Sequence, residues 1–167
     1  MEGTVTMIAN VFRQFKHHSP DLVGSRLYNE QTFYNAFIRD LACFRDEAII
    51  ESPFMTTQRI NILLPHFRKA IACGARIVVN TRHPQEHDQY MRAEAERSIT
   101  MLQNISVEIL FTGGHHRKLA IFDRAVLWEG SLSVLSQNDS CEIMRRVESR
   151  QLACLMVRFI NLEALLV

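Results

Sequence analysis

Apolar residues recur at helical spacing in four stretches of the chain, and short apolar runs lie between and after them. Phe33, Phe37, Leu41 and Phe44 follow Asn29, a good N-cap, and predict an amphipathic helix over 30–45. Ala48 to Glu51 is a short apolar run that stops at Ser52-Pro53 and reads as a strand. A second helix starts at Thr57, carries Ile60, Leu63, Leu64, Phe67 and Ile71 on one side, should kink at Pro65, and ends at Gly74. Ala75 to Asn80 is a strong apolar strand. Pro84 suits the first turn of a third helix, 84–103, with Met91, Ala95, Ile99 and Leu102 as its stripe. Ser106 to Phe111 is the next strand. Leu119–Phe122 and Ala125–Trp128 flank the turn Asp123-Arg124, which predicts a hairpin over 117–129. A loop over 132–140 precedes a further strand, Cys141 to Arg145, and a last helix, 147–165, is expected to bury Leu152, Leu155, Met156 and Phe159.

The order α-β-α-β-α-β-β-β-β-α argues for an α/β fold, an α-β-α sandwich. Its mixed sheet is parallel at first and finished by an antiparallel section. Residues 1–26 lack a clear pattern. Val5 to Phe15 reads as a short helix or a strand, and Lys16-His17-His18-Ser19-Pro20 breaks it. This stretch is expected to be an arm or linker, packed on the domain or on a second subunit, with 27–167 as one domain. No internal repeat or low-complexity tract interrupts the chain.

Composition narrows the class. At 167 residues, 47% apolar and 22% charged, the chain reads as one soluble globular domain. A net charge of +1 does not announce a nucleic-acid binder, so basic contacts must be local. Arg117, Lys118, Arg124, Arg145 and Arg146 form such a group, readable as substrate contacts or as solvated surface. Cys43, Cys73, Cys141 and Cys154 contain no C-x-x-C pair and read as reduced thiols, mostly buried. No signal-peptide pattern and no apolar run near the ~20 residues of a membrane span is visible, which predicts a cytoplasmic protein without membrane contact.

The chemistry concentrates in His116-Arg117-Lys118, Asp123 and Gly130-Ser131, an H-x-K-x4-D-x6-G-S spacing. Side chains alternate along a strand, so His116 and Lys118 should share one face while His115 and Arg117 take the other. An imidazole nitrogen beside an ammonium can attack phosphorus and hold its negative oxygens without a metal. Gly113-Gly114 allows a tight backbone approach just upstream. His83 and His87 stand four apart at a helix start, a spacing open to metal binding, but with Glu86 and Asp88 beside them it reads as ordinary capping. His17-His18 reads as exposed loop. No metal and no cofactor is expected. Glu51-Ser52-Pro53-Phe54 can edge the cleft, and Arg82 can reach a nucleic-acid backbone.

On these residues the stretch Gly114 to Arg146 resembles the phospholipase D superfamily, whose signature is HxKxxxxDxxxxxxGS. It looks most like the bacterial single-motif nuclease branch and the phospholipase-D-like domains on some superfamily 1 helicases. The rest of the chain from about Leu27 is similar in general pattern.

The resemblance implies a phosphodiesterase, most simply a nuclease on DNA rather than RNA. Such enzymes bring two HxK motifs to one site, so a single motif implies a homodimer about a two-fold axis. His116 of one subunit would be nucleophile and that of the other general acid, with both Lys118 side chains on the phosphoryl oxygens. Asp123 would be a member of the catalytic motif that holds loop or imidazole geometry, without a proton transfer. Ser131 would bind the phosphate or support its pocket, and Glu142 would orient the histidine ring. Where the nuclease branch commonly has Asn two residues after the motif serine, this chain has Ser133. Asn138, five residues on, is a candidate replacement. Rival readings are a lipid phosphodiesterase, a non-cleaving accessory module of a helicase partner, and a fragment of a larger protein.

Overall fold

Ile49 and Ile50 are neighbours on one strand, both fully buried, and they enter different cores. That is the signature of a sheet covered on both faces. The computed structural model describes residues 24–136 and 141–162. The strands are β1 (Ser25–Asn29), β2 (Glu47–Glu51), β3 (Arg76–Thr81), β4 (Glu108–Phe111), β5 (Leu119–Phe122), β6 (Val126–Gly130) and β7 (Ile143–Glu148). The helices are α1 (Phe33–Cys43), α2 (Thr57–Ala72), α3 (Gln89–Gln103) and α4 (Arg150–Ile160), with a single 3-10 turn at Pro84–Glu86. The strands form one mixed sheet in the order β1-β7-β6-β5-β2-β3-β4. β2, β3 and β4 run parallel, and β5, β6, β7 and β1 complete the sheet antiparallel. The expected α-β-α sandwich is present. No helix among the described residues is long and apolar enough to cross a membrane.

Three helices cover one face. Phe33, Phe37 and Leu41 of α1, Ile60, Leu63 and Phe67 of α2, and Ile99 and Leu102 of α3 meet Ala48, Ile50, Ala120 and Trp128 of the sheet. Trp128 donates its indole N–H to Asp40 at 2.8 Å. Asp40 also takes two hydrogen bonds from Arg146, so this arginine of the basic group is a structural ion pair. Arg124 likewise pairs with Glu47 at 3.0 Å.

Among the described residues, α4 is the helix on the other face. Here the expected stripe is wrong in three of its four residues: Ala153, Val157 and Ile160 pack on Ile49, Leu119, Ile121 and Leu127, with Met156 half-buried beside them, while Leu152, Leu155 and Phe159 are exposed. Both sets have helical spacing, so periodicity alone could not choose between them. Small and β-branched residues face the sheet and the large ones face away from it.

Other boundaries move for local reasons. β1 straddles the expected boundary between arm and domain after residue 26, paired antiparallel with β7 from Ser25↔Val147 to Asn29↔Ile143. Residues 1–23 lie outside the described set, as does the end of the last predicted helix. α1 starts after Thr32. Asn29 instead turns the chain, its carboxamide oxygen accepting from the Thr32 hydroxyl at 2.7 Å. α2 continues through Pro65. The third helix begins at Gln89, because Asp88 caps it by accepting the Met91 N–H at 2.9 Å; Pro84 opens only the 3-10 turn. β7 is shifted two residues later than the expected strand, and α4 starts behind Ser149, which accepts the Leu152 N–H. Cys43, Cys73 and Cys141 are exposed and Cys154 is half-buried, against the expectation of buried thiols.

Candidate active site

The chain leaves β4 at the edge of the sheet and re-enters at β5 in its middle, so residues 112–118 must cross the C-terminal ends of β3 and β2. Crevices outside the carboxyl ends of parallel strands are where α/β folds bind ligands. Thr112 continues the ladder by donating to Thr81 O at 3.0 Å. Gly114 has φ 62°, a left-handed conformation, and donates its N–H to Glu86 at 2.9 Å. β5 itself begins at Leu119, so the H-x-K sits in the extended segment before the strand rather than inside the hairpin.

The expected pairing of faces holds by contact rather than by burial: His116 meets Lys118 and Arg117 turns to Glu51, although Arg117 is exposed and Lys118 half-buried. His116 is exposed and His115 is buried. Lys118 Nζ lies 3.1 Å from His116 Nδ1 and 3.2 Å from its carbonyl oxygen. An ammonium can only donate, so Nδ1 is the acceptor and a neutral ring in this arrangement carries its proton on Nε2. A ring that attacks through Nε2 must shed this contact, which frees Lys118 to turn to an anion. The ring that gives a proton must be the doubly protonated imidazolium, which has no acceptor for an ammonium, so it too gives up this contact. Burial lowers the Lys118 pKa from the usual lysine value, and the nearby Glu142 carboxylate opposes the shift.

Arg117 points the other way, into a polar network under the sheet end. Its guanidinium makes two hydrogen bonds to Glu51, one at 2.7 Å. Glu51 also accepts from Asn80 at 2.7 Å, and Asn80 accepts from the Thr112 hydroxyl at 3.1 Å. One carboxylate therefore ties the ends of β2 and β3 to the segment that carries the motif. His115 faces this side. Burial depresses its pKa, Glu51 pulls the opposite way, and its Nε2 has no hydrogen-bond partner.

Gly130-Ser131 lies beside the motif. Gly130 donates its N–H to Lys118 O at 3.2 Å. A Cβ on Gly130 would fall 2.2 Å from Ile143 O, so only glycine fits this approach. The Ser131 hydroxyl accepts the Ile143 N–H at 3.1 Å at the mouth of the β6–β7 ladder and remains exposed. Glu142 is close enough to act electrostatically on both Lys118 and Tyr34.

Two other motif positions fall elsewhere. Asp123 is at the far end of β5, roughly 16 Å from Lys118 along the strand. Its carboxylate accepts the N–H groups of Arg45, Asp46 and Glu47 at 2.8–2.9 Å, fixing the entry to β2. Its backbone, with Arg124, takes the left-handed conformation of a tight hairpin turn. It holds a loop and cannot hold the imidazole. Ser133 is buried, its hydroxyl faces no partner, and its carbonyl accepts from the Tyr34 hydroxyl at 3.0 Å, so the side chain is not at a substrate surface. Tyr34 also ties Ser136 O at 2.7 Å. Burial pushes its pKa up to about 12, against the pull of the Arg59 guanidinium 3.3 Å above its ring. Asn138 lies outside the described residues.

The rim toward β3 is aromatic and basic. Ser52 donates to Phe54 O at 2.9 Å and accepts the Leu135 N–H at 3.1 Å, which sets the Phe54 loop beside His116. Arg82 reaches the same ring. Phe54 and Arg82 thus lie together on the rim beside His116. His83 and His87 are not on one helix. His83 is exposed against Phe111 and His87 is buried against Phe54, and no group of three or more metal-ligating side chains occurs among the described residues. Asn80, Thr112 and Tyr34 had not been singled out, and Glu51 only as a cleft edge. The available signal was polar residues ending two apolar parallel strands.

No family model and no curated protein matches the sequence. Solved structures do match the fold. The phospholipase D family member Nuc from Salmonella typhimurium aligns with TM-score 0.67 at 10% identity, over 81% of this chain and 90% of that one. NucT from Helicobacter pylori aligns with TM-score 0.65 at 13% identity, over 81% and 91%. The phosphatidylserine synthase of Haemophilus influenzae aligns with TM-score 0.65 at 15% identity, over 83% of this chain and 36% of that one. The fold is that of the phospholipase D family.

Proposed function

We propose that the chain is a metal-independent phosphodiesterase, a nuclease that cleaves DNA through a phosphohistidine at a site shared by two copies. The observation that carries the reading is the contact of His116 Nδ1 with Lys118 Nζ at 3.1 Å, exposed on the lip above β2 and β3. A nucleophile and a cation within one hydrogen bond are what phosphoryl transfer needs from a protein that supplies its own charge. The phospholipase D fold and its likeness to Nuc and NucT, each covered nearly end to end, favour a compact single-motif enzyme.

In the first step His116 Nε2 attacks phosphorus and the bond to the leaving oxygen breaks. The electron pair stays on that oxygen, which takes the Nε2 proton of the second copy's His116, present as the doubly protonated imidazolium and left neutral. Water then attacks the phosphohistidine, gives up a proton to the second ring, and releases the phosphate monoester with both rings restored. Lys118 screens the oxygens in both steps. Ser131 supports the loop next to the phosphate, and the Glu142 carboxylate acts electrostatically on Lys118.

The second copy has a surface to use. A groove of about 510 Å³, lined by Leu27, Ile143, Met156 and Phe159, adjoins Arg117 and Lys118. Three of these side chains are left largely in water, at 64% for Leu27, 60% for Ile143 and 79% for Phe159.

The test is cleavage in EDTA of single- and double-stranded DNA, RNA and phosphatidylcholine by the wild type and His116→Ala. DNA cleavage that persists in chelator, vanishes in the variant and passes through an acid-labile phosphoprotein supports the reading. Turnover of phosphatidylcholine alone would replace it with a lipid phosphodiesterase. DNA binding without cleavage would replace it with an accessory module.

A further inference from the structure

A row of rings and one cation leads from His116 to the edge of the sheet. Phe54 meets the His116 ring edge-on at 6.2 Å and the His87 ring at 5.5 Å. The Arg82 guanidinium lies 6.0 Å from the centroid of the same Phe54 ring. Across the Pro84–Glu86 turn, His83 stands edge-on to Phe111 at 5.0 Å. Phe111 is the last residue of the edge strand β4 and is 43% exposed. Glu86 of this turn is bonded to the Gly114 N–H, so the turn is fixed to the loop that carries His116.

Phe111 leaves part of its ring in water at a sheet edge, beside the exposed His83, whose Nδ1 accepts the Gln85 N–H at 3.3 Å. His87 is buried behind Phe54 with its Nε2 enclosed, so it backs that ring and does not itself reach a ligand.

We infer that this row is a binding track for single-stranded DNA, with bases stacked on the Phe111–His83 pair and on Phe54, and the scissile phosphate at His116 and Lys118. The inference rests on the phosphodiesterase reading of that site. Every base has a π-face, so rings bind a strand whatever its sequence, while Arg82, ion-paired with Glu86 at 3.6 Å, brings no net charge to that path. A net charge of +1 gives little general attraction to a phosphate backbone, so stacking is the available source of affinity. In a duplex the bases stack on one another and cannot lie on these rings.

The experiment measures binding in a His116→Ala background, where no strand is cut. Fluorescence anisotropy compares a short single strand with its duplex, and a series carrying one abasic residue at each position in turn. Phe111→Ala should weaken single-strand binding by about tenfold, as loss of one stacked base does, and Phe111→Trp should restore it. Duplex binding should not change by that factor. One abasic position should cost the parent a similar factor and cost Phe111→Ala nothing more, which marks ring and base as one interaction. His83→Ala should fall in the same direction, and circular dichroism checks each fold. Equal weakening of single strand and duplex overturns the track, and so does unchanged single-strand binding in both variants. If the strand binds through Phe111 but the wild type cleaves neither it nor bis(p-nitrophenyl) phosphate, the track stands and the phosphodiesterase reading falls. If the small diester is cleaved while Phe111→Ala binds strand normally, the track falls and the phosphodiesterase reading stands.

Discussion

Arg117 and Glu51 form a two-pronged ion pair at the end of the sheet, in which the arginine side chain is 40% exposed and the glutamate is fully enclosed. The asymmetry sets the outcome of breaking it. Arg117→Ala strands a charge that cannot reach water and should destabilise the fold by about 3–5 kcal/mol. Glu51→Gln frees a guanidinium that can turn to solvent and keeps an acceptor for Asn80, so it should cost less, about 1–2 kcal/mol. Urea denaturation of the two variants decides the order. Equal losses, or a larger loss for Glu51→Gln, would contradict this reading of the pair.

His116 and Lys118 are in contact on the exposed side and His115 is buried on the other. His116→Ala should abolish turnover while leaving strand binding within a few fold. Lys118→Ala should reduce turnover by roughly 10²-fold, as removal of a charge-stabilising donor does. His115→Gln should keep most turnover and show its loss in thermal stability instead. The opposite pattern, with the His115 variant dead and the His116 variant active, would overturn the assignment of the site.

How much of this was legible depended on whether a signal was local. The H-x-K parity was readable because alternation needs only an extended backbone, and it holds although the segment precedes β5. The central strands and α2 were readable because their apolar runs are buried by the sheet and by helices on its faces. β1 was not. Its five residues, Ser25–Asn29, pair on an outer edge with Leu27 facing water, so no apolar alternation marks them. The face of α4 was misjudged because two apolar stripes share one helix. Asp123 kept its place in the motif spacing, yet its partners are the N–H groups of 45–47, and no spacing rule reveals a contact across that separation. Glu51 looked like a strand end and proved to be the centre of a network assembled from distant segments.

Two buried rings predict how stability changes with acid. Burial lowers the pKa of both His87 and His115 from the usual 6.5. Below pH 6.5 the unfolded chain takes up protons that the folded rings refuse, so the unfolded state gains. Their contribution is complete above that value, falls as the pH drops through it, and levels off once the folded rings are protonated. Glu94 and Glu108 have carboxyls lowered from 4.5 by hydrogen bonds to Thr57 and Arg76, so their loss comes at lower pH and is separable. Thermal melts in steps from about pH 8 to about pH 5 should show a falling Tm, with a shallower fall in His115→Gln. A Tm that is flat or rises toward acid would show that neither ring is held neutral.

The groove beside Lys118 predicts the response of assembly to charge. Leu27 on β1, Ile143 on β7 and Phe159 on α4 come from separate elements but adjoin one groove. A second copy covering them gains roughly 25 cal/mol for each Å² of apolar surface removed from water, and a buried carboxylate would oppose that gain. Phe159→Glu and Leu27→Asp should therefore shift the protein to monomer in light scattering coupled to size exclusion. Because neither residue packs into the described core, each monomer should melt near the wild-type temperature. If the active site is composite, turnover should fall with the dimer fraction and recover as protein concentration rises. A variant that is monomeric at all concentrations and still fully active would show that one copy holds everything the reaction needs, and the second acid would then have to come from the same chain.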